Sequence, residues 1–375
     1  MPALLDTVDP EGLEEFSVVF TDRSLNHMSA AFQEVMRDLS AMLKEVYAAD
    51  AVALVPGGGT YAMESVARQF ARDEDVLVVR NGWFSYRWSQ IVETGGIAAS
   101  ATVMQARQVG NSAPRPFAPA PIQEVTDAIR SRRPGVVFAP HVETAAGVIL
   151  PDDYIAALAA AAHEVGALMV LDCIASGAIW VDMAATGVDV LISAPQKGWS
   201  ASPSAGLVML SARAEARLEQ TVSDSFALDL RTWRRIMAAY ENGGHAYHAT
   251  LPTDALRGLR DAMAETRALG FERLREAQWA LGDGVRAMLK EKGVVSVAAE
   301  GFGAPGVVVS YTDDPDIQNG RKFAAEGMQI AAGVPLQCDE PDDFRTFRLG
   351  LFGLDKICDV DATLARLKRV IDRVL

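Results

Sequence analysis

From about residue 50 to residue 212 the chain alternates short runs of β-branched and apolar residues with longer amphipathic stretches. That alternation leaves few architectures open, because strands separated by helical crossovers must assemble into a mostly parallel sheet flanked by helices, an α/β fold. The reading places seven strands at 51–55, 76–80, 99–104, 136–139, 168–171, 188–193 and 206–210, with helices notably at 61–72, 122–132 and 152–165. Beyond Phe226 the pattern turns mainly helical up to Glu291, then predicts strands at 294–298, 306–311 and 344–351 and a closing helix at 360–375. Residues 1–254 are therefore read as a large domain and 255–375 as a smaller α+β domain, with the Pro-rich piece 114–121 a surface connector.

In open α/β sheets ligands sit beyond the carboxyl ends of the strands, and the polar motifs of this chain fall there. Leu168-Met169-Val170-Leu171 runs into Asp172, and the next apolar strand is followed by Ala194-Pro195-Gln196-Lys197-Gly198. An unpaired carboxylate at the buried end of a central strand is costly and favours a cationic partner. A pyridinium N–H is such a partner, and an amine just past the neighbouring strand is what pyridoxal phosphate (PLP) needs to form a Schiff base. Lys197 is the only lysine between Lys44 and Lys290, in a stretch that otherwise uses arginine. Arginine keeps its proton whereas lysine can be tuned to lose it, so an amine retained here points to chemistry.

Three further motifs agree with that chemistry. Pro56-Gly57-Gly58-Gly59-Thr60 follows a strand and opens a helix, so its amides and the Thr60 hydroxyl are placed to cradle a phosphate. Asn81-Gly82-Trp83-Phe84-Ser85-Tyr86-Arg87-Trp88 carries four aromatic residues, of which Phe84 is expected to stack on a planar ring, with Ile174 on the opposite face. Pro140-His141-Val142-Glu143-Thr144 supplies a hydroxyl at a further strand end.

Composition narrows the class of partner. A net charge of −14 and a pI near 4.9 argue against nonspecific binding of nucleic acid or anionic lipid, and an anionic substrate would need a local cation. No apolar run reaches the roughly 18 residues of a membrane span; His163 and Glu164 interrupt the richest stretch, 155–171. Met1 to Glu15 carries five acidic residues and no basic one, the reverse of an export signal. The three cysteines, Cys173, Cys338 and Cys358, form no CxxC pair, and the five histidines lack helical ligand spacing, so a reducing cytoplasm is expected and no metal centre.

The segments Gly58-Gly59-Thr60, Asn81-Gly82-Trp83-Phe84, His141-Val142-Glu143-Thr144, Asp172-Cys173-Ile174-Ala175-Ser176, Ala194-Pro195-Gln196-Lys197-Gly198, Tyr247-His248-Ala249-Thr250 and Phe347-Arg348-Leu349-Gly350 resemble, in the same order, those of class V aminotransferases, in particular the alanine–glyoxylate and serine–glyoxylate group. The resemblance runs from about residue 24 to the C-terminus. It implies a fold-type I PLP enzyme, a homodimer whose active sites lie at the subunit interface. By position, Gly58, Gly59 and Thr60 match the phosphate cup, Phe84 the stacking aromatic, Thr144 a hydroxyl near the cofactor oxygen, Asp172 the pyridine-nitrogen partner and Ile174 the opposite face. Gln196 matches a cofactor contact, Lys197 the Schiff-base lysine, Tyr247 and Thr250 residues reaching the neighbouring subunit's phosphate, and Arg348 the arginine gripping the substrate carboxylate. The chain departs from the family pattern at Val18 to Arg23, where a Gly-Pro-Gly opening is usual, at Ala145-Ala146, where Ser-Thr is usual, and at Ala201-Ser202-Pro203-Ser204, where a double proline is usual.

The expected activity is amino transfer from a small amino acid such as alanine or serine to a small 2-oxo acid such as glyoxylate or pyruvate. Two rival readings accompany it: a PLP-dependent cysteine desulfurase or lyase using Cys338, and a noncatalytic protein of the same fold that only binds PLP.

Overall fold

The structure, a computed structural model, describes residues 5–111 and 113–375, so the acidic opening stretch read above lies partly outside the described residues. A seven-stranded sheet is built from β1 (Ala51–Pro56), β2 (Asp75–Arg80), β3 (Ser100–Gln105), β4 (Val136–Pro140), β5 (Leu168–Asp172), β6 (Val190–Ser193) and β7 (Ala205–Leu210). Their order across the sheet is β1-β7-β6-β5-β4-β2-β3. Every pairing from β6 to β3 is parallel, and β7 alone runs antiparallel to both its neighbours. β4, β5, β6 and β7 are buried along their whole length, which is why they read as continuous apolar runs rather than as alternating ones.

Helices α1 (Ala30–Tyr47), α2 (Gly59–Phe70), α3 (Trp83–Gly95), α4 (Ile122–Arg132), α5 (Asp152–Val165) and α6 (Leu230–Glu241) accompany the sheet. The largest apolar cluster fills the space between them, with Val52, Val78, Phe138, Val170, Leu171 and Ile192 wholly buried. Trp88 of α3 stacks on Phe138 with ring centroids 4.2 Å apart, which holds that helix against the centre of the sheet.

Two long helices, α7 (Thr253–Leu269) and α8 (Phe271–Glu291), lead into a three-stranded sheet in which β10 (Thr346–Gly350) lies between β8 (Val307–Tyr311) and β9 (Ala331–Ala332). The final helix, α9 (Val360–Val374), packs on α8. The expected boundary at 254/255 falls in the first turn of α7.

Two local expectations are corrected. Residues 294–298 form no strand: Val297 donates to Val309 O at 3.0 Å, while its own carbonyl accepts from Phe117 N at 2.7 Å. The segment thus divides its hydrogen bonds between two partners and makes single bridges instead of a ladder. For the same reason the Pro-rich 114–121 piece is more than a connector, since Phe117 is fully buried and Phe117–Ala118 pairs with Arg107–Gln108.

Candidate active site

Parallel pairing places Asp172 of β5 level with Ile192 of β6 and with Pro140 of β4. The loops leaving these strands carry Lys197 and Thr144, and together with those after β1 and β2 they surround a cavity of about 630 Å³. Gly59, Thr60, Phe84, Thr144, Asp172, Ile174, Gln196, Lys197 and Arg348 all line it, so residues up to 289 positions apart in the chain, Gly59 and Arg348, share one space. Gly58 stands just behind as the residue preceding α2. Tyr247 and Thr250 do not line the cavity; both are exposed, and their hydroxyls lie 3.3 Å apart.

Asp172 is 8% exposed, and the hydrogen bond to its carboxylate comes from Ile174 N at 2.9 Å. Burial pushes this carboxyl up to about 7; the Ile174 amide opposes that rise, Glu143 adds to it and Arg87 opposes it. A buried acid with one donor is under-satisfied, and a cationic N–H is the group that would complete it.

Lys197 sits in the turn after β6, where its amine lies 5.3 Å from the centroid of Phe352 and makes no ion pair among the described residues. Burial, followed by repulsion from Arg348, holds its pKa below the ordinary lysine value. A desolvated amine with a lowered pKa is a better nucleophile and proton carrier. Gly198 explains how the turn fits, because a Cβ there would stand 2.1 Å from Gly177 O.

At the start of α2 the amides of Gly58, Gly59 and Thr60 donate to no acceptor among the described residues, leaving three N–H groups at a helix N-terminus. Gly59 closely abuts Ile174, whose Cδ1 would be 2.4 Å from an added Cβ. Arg87, which the sequence reading left unassigned, lines the same cavity and donates to Thr60 Oγ1 at 3.0 Å. Its signal was its spacing: three residues after Phe84 it lies on the same helical face, 5.3 Å over that ring.

Arg348 lies on the central strand β10, and its Nε donates to Ala332 O at 2.8 Å. That bond fixes the fork and leaves the two terminal nitrogens as the groups that could take a carboxylate, Nη1 being 3.5 Å from Thr144 O. Burial lowers its pKa, opposed by Glu143.

Glu143 has no role that its sequence motif discloses. It is wholly buried and accepts from Phe84 N at 3.2 Å, Ser85 N at 2.8 Å, Ser85 Oγ at 2.7 Å and Ala145 N at 2.9 Å. It therefore closes the N-terminus of α3 and joins the loop bearing Phe84 to the loop bearing Thr144. Ala145 and Ala146 are fully buried in an apolar cluster with Val307 and Val309, a setting in which the hydroxyls usual in the family would need partners.

The residues present fit PLP: an under-satisfied buried acid, an unpaired amine, a helix N-terminus with free amides and a glycine packed against a cavity-lining isoleucine. Comparison with known proteins agrees. The family model "Aminotransferase class-V" matches residues 11–311. A 2-aminoethylphosphonate–pyruvate transaminase of Burkholderia mallei is 31% identical over 89% of this chain and 88% of that protein. A soluble hydrogenase small subunit of Synechococcus sp. is 26% identical over 92% of this chain and 88% of its own. The crystal structure of an alanine–glyoxylate aminotransferase from Nostoc sp. superposes with a TM-score of 0.75 at 22% identity, covering 92% of this chain and 89% of that one. The chain belongs to the class-V aminotransferase family and is a PLP-dependent transaminase of fold type I.

Proposed function

We propose that this site transfers an amino group from a small amino acid or aminophosphonate to pyruvate or glyoxylate, with Lys197 as the attachment point and proton carrier. The observation that carries the reading is the unpaired Lys197 amine sharing one cavity with the under-satisfied Asp172. The activities named for the relatives support the two acceptors.

When bound, PLP supplies a carbonyl carbon for amines and a ring that accepts the electron pair left at the substrate Cα. Asp172 would hold the ring N–H, Phe84 and Ile174 would cover the ring, and Thr144 and Gln196 would meet its polar groups. Gly58, Gly59, Thr60 and Arg87 would bind the phosphate through amides, a hydroxyl and a guanidinium. Arg348 grips the substrate carboxylate and so fixes Cα in front of Lys197, whose Nζ removes the Cα proton.

The site is proposed to be completed by a second copy of the chain, whose Tyr247 and Thr250 would reach the phosphate. Support comes from apolar residues left open to solvent, Leu13 at 88%, Phe16 at 87%, Phe226 at 78% and Tyr247 at 54% exposure. We place the domain boundary at 254/255 and the protein in a reducing cytoplasm, in keeping with three free cysteines.

The desulfurase reading is disfavoured. Cys338 is buried, lies outside the cavity lining, donates to Arg80 O at 3.5 Å and has its thiol pushed up to about 12 by burial, Glu143 and Glu340. A thiolate nucleophile needs the opposite environment.

Adding single amino acids and 2-aminoethylphosphonate to the PLP-loaded protein, and following the visible absorbance of the cofactor, tests the function. At least one small donor converts the spectrum, and pyruvate or glyoxylate restores it. Binding of PLP with no conversion by any donor would instead establish the noncatalytic reading.

A further inference from the structure

The charges around the cavity exceed what the proposed transamination of a monoacid uses. Four cationic side chains line it, Arg87, Lys197, Arg348 and Lys356, against a single carboxylate, Asp172, among the described residues. On the proposed function Asp172 faces the ring nitrogen, Lys197 is the reacting amine, Arg87 adjoins the phosphate cup and Arg348 takes one carboxylate. Lys356 is left without a counterpart in an otherwise assigned site.

Its placement is deliberate in the backbone. The short helix Leu354–Ile357 is tied to the turn carrying Lys197 by Leu354 N, which donates to Ser200 Oγ at 2.8 Å. The residue before it, Gly353, has φ of +102°, a left-handed value that suits glycine and turns the chain from Phe352 to Lys356 along the cavity. The Lys356 ammonium pairs with its neighbour Asp355 at 2.9 and 3.1 Å. Asp355 is outside the cavity lining and its side chain is 70% exposed, against 31% for Lys356. An ion pair so open to water is weak, so a substrate anion inside the cavity competes with it readily.

We propose that Lys356 is a specificity-determining residue that binds a second negative charge on the substrate, so that the preferred amino donor or oxo acceptor carries a distal carboxylate or phosphate-type group in addition to the one held by Arg348. This rests on the transaminase reading of the site. Asp355 acts as the stand-in anion that parks the ammonium when no such substrate is bound.

The test compares half-reaction kcat/KM on the PLP-loaded protein for L-alanine, L-aspartate, L-glutamate and O-phospho-L-serine in the wild type, K356Q, K356R and D355N. The dianionic donors are expected to lose about tenfold or more in K356Q, a loss confined to KM, while L-alanine changes by less than about twofold. K356R restores most of the loss, and D355N raises the dianionic donors about two- to fivefold by removing the competing carboxylate. The relative response of aspartate, glutamate and phosphoserine tells whether the second group is a short carboxylate, a longer one or a phosphate. If K356Q leaves the dianionic-to-alanine ratio unchanged, Lys356 is only half of a surface ion pair and the proposal falls. Failure of every donor, L-alanine included, would count against the transaminase reading instead, so the two outcomes are separable.

Discussion

The two ends of the central sheet each bury an aspartate, and they treat it in opposite ways. At the amino end of β6, Asp189 is 2% exposed and accepts from Met169 N at 2.8 Å and Ser211 Oγ at 3.2 Å, with His163 Nε2 at 2.9 Å and Arg213 Nε at 3.6 Å. At the carboxyl end of the adjoining β5, Asp172 has, among the described residues, the single amide of Ile174. Desolvation of a charge is compensated at the first site by partners from within the chain and left open at the second. The first arrangement is what a fold needs, and the second is what a fold keeps when the missing partner arrives with a ligand. Glu143, buried within the active-site wall and satisfied by four donors, belongs with Asp189 although it lies among the site residues.

The sharpest way to break this contrast is at the amine facing the open end. K197A is expected to lose about 10⁴-fold or more in turnover, since it removes the proposed proton carrier at the substrate Cα. Thermal denaturation of the cofactor-free variant should match the wild type closely, because the amine has no ion pair to lose among the described residues. Substantial activity in K197A would remove the basis of the proposed mechanism.

The paired substitutions D172N and D189N come next. D172N is expected to cut kcat by about 10²- to 10³-fold, because the ring nitrogen would lose its proposed anionic partner. In the cofactor-free protein it should leave stability at neutral pH unchanged or improved, since an under-satisfied buried acid is replaced by a neutral amide. D189N should do the reverse, costing about 1–3 kcal/mol in denaturant unfolding with little effect on turnover of the surviving folded protein. Equal stability losses in both variants would show that the two ends are alike.

A pH series sharpens the same point with a smaller signal. The Asp172 carboxyl titrates at about 7 in the folded cofactor-free chain against an ordinary 3.8, so between these values the folded state holds a proton that the unfolded state has released. Its contribution to stability is therefore complete below the ordinary value and is lost as pH rises through the folded one. The melting temperature of D172N relative to the wild type should climb between about pH 4 and about pH 7 and level off above, and added PLP, proposed to place a cation beside the carboxylate, should flatten the trend.

How far the sequence carried the reading depends on what each residue answers to. The strands β1, β2 and β4 to β7 were legible because they are buried along nearly their whole length and their apolar runs are bounded by polar loops, whereas the edge strand β3 is only partly covered. Asp172, Lys197 and the glycine-rich turn were legible because a carboxylate, an amine and free amides at strand ends have few structural reasons to be there. Glu143 and Arg87 were not assigned, since their meaning lies in contacts between loops 58 and 59 residues apart in one case and 27 in the other. The 294–298 segment misled for a related reason: its composition suits a strand, but its neighbours offer two half-ladders rather than one. Lys356 has no motif of its own, and only the folded cavity shows that it faces the same space as Arg348.

The finest test concerns how closely the proposed phosphate-binding turn and the proposed ring-facing residue are fitted to each other. A Cβ on Gly59 would stand 2.4 Å from Ile174 Cδ1 and 2.9 Å from Cγ1, and both are atoms of a side chain rather than of the backbone. G59A is therefore accommodated by a shift of Ile174, at a cost of about 1 kcal/mol or a little more. Because Ile174 is proposed to cover the ring, the shift should appear as weaker PLP binding, about five- to tenfold in Kd. I174A removes the two clashing atoms, so G59A added to it should weaken PLP binding less than G59A alone does, and the two substitutions should be non-additive in a double-mutant cycle. Additive effects would mean that the turn and the isoleucine meet the cofactor independently, and that the close approach at Gly59 serves the packing of α2 alone.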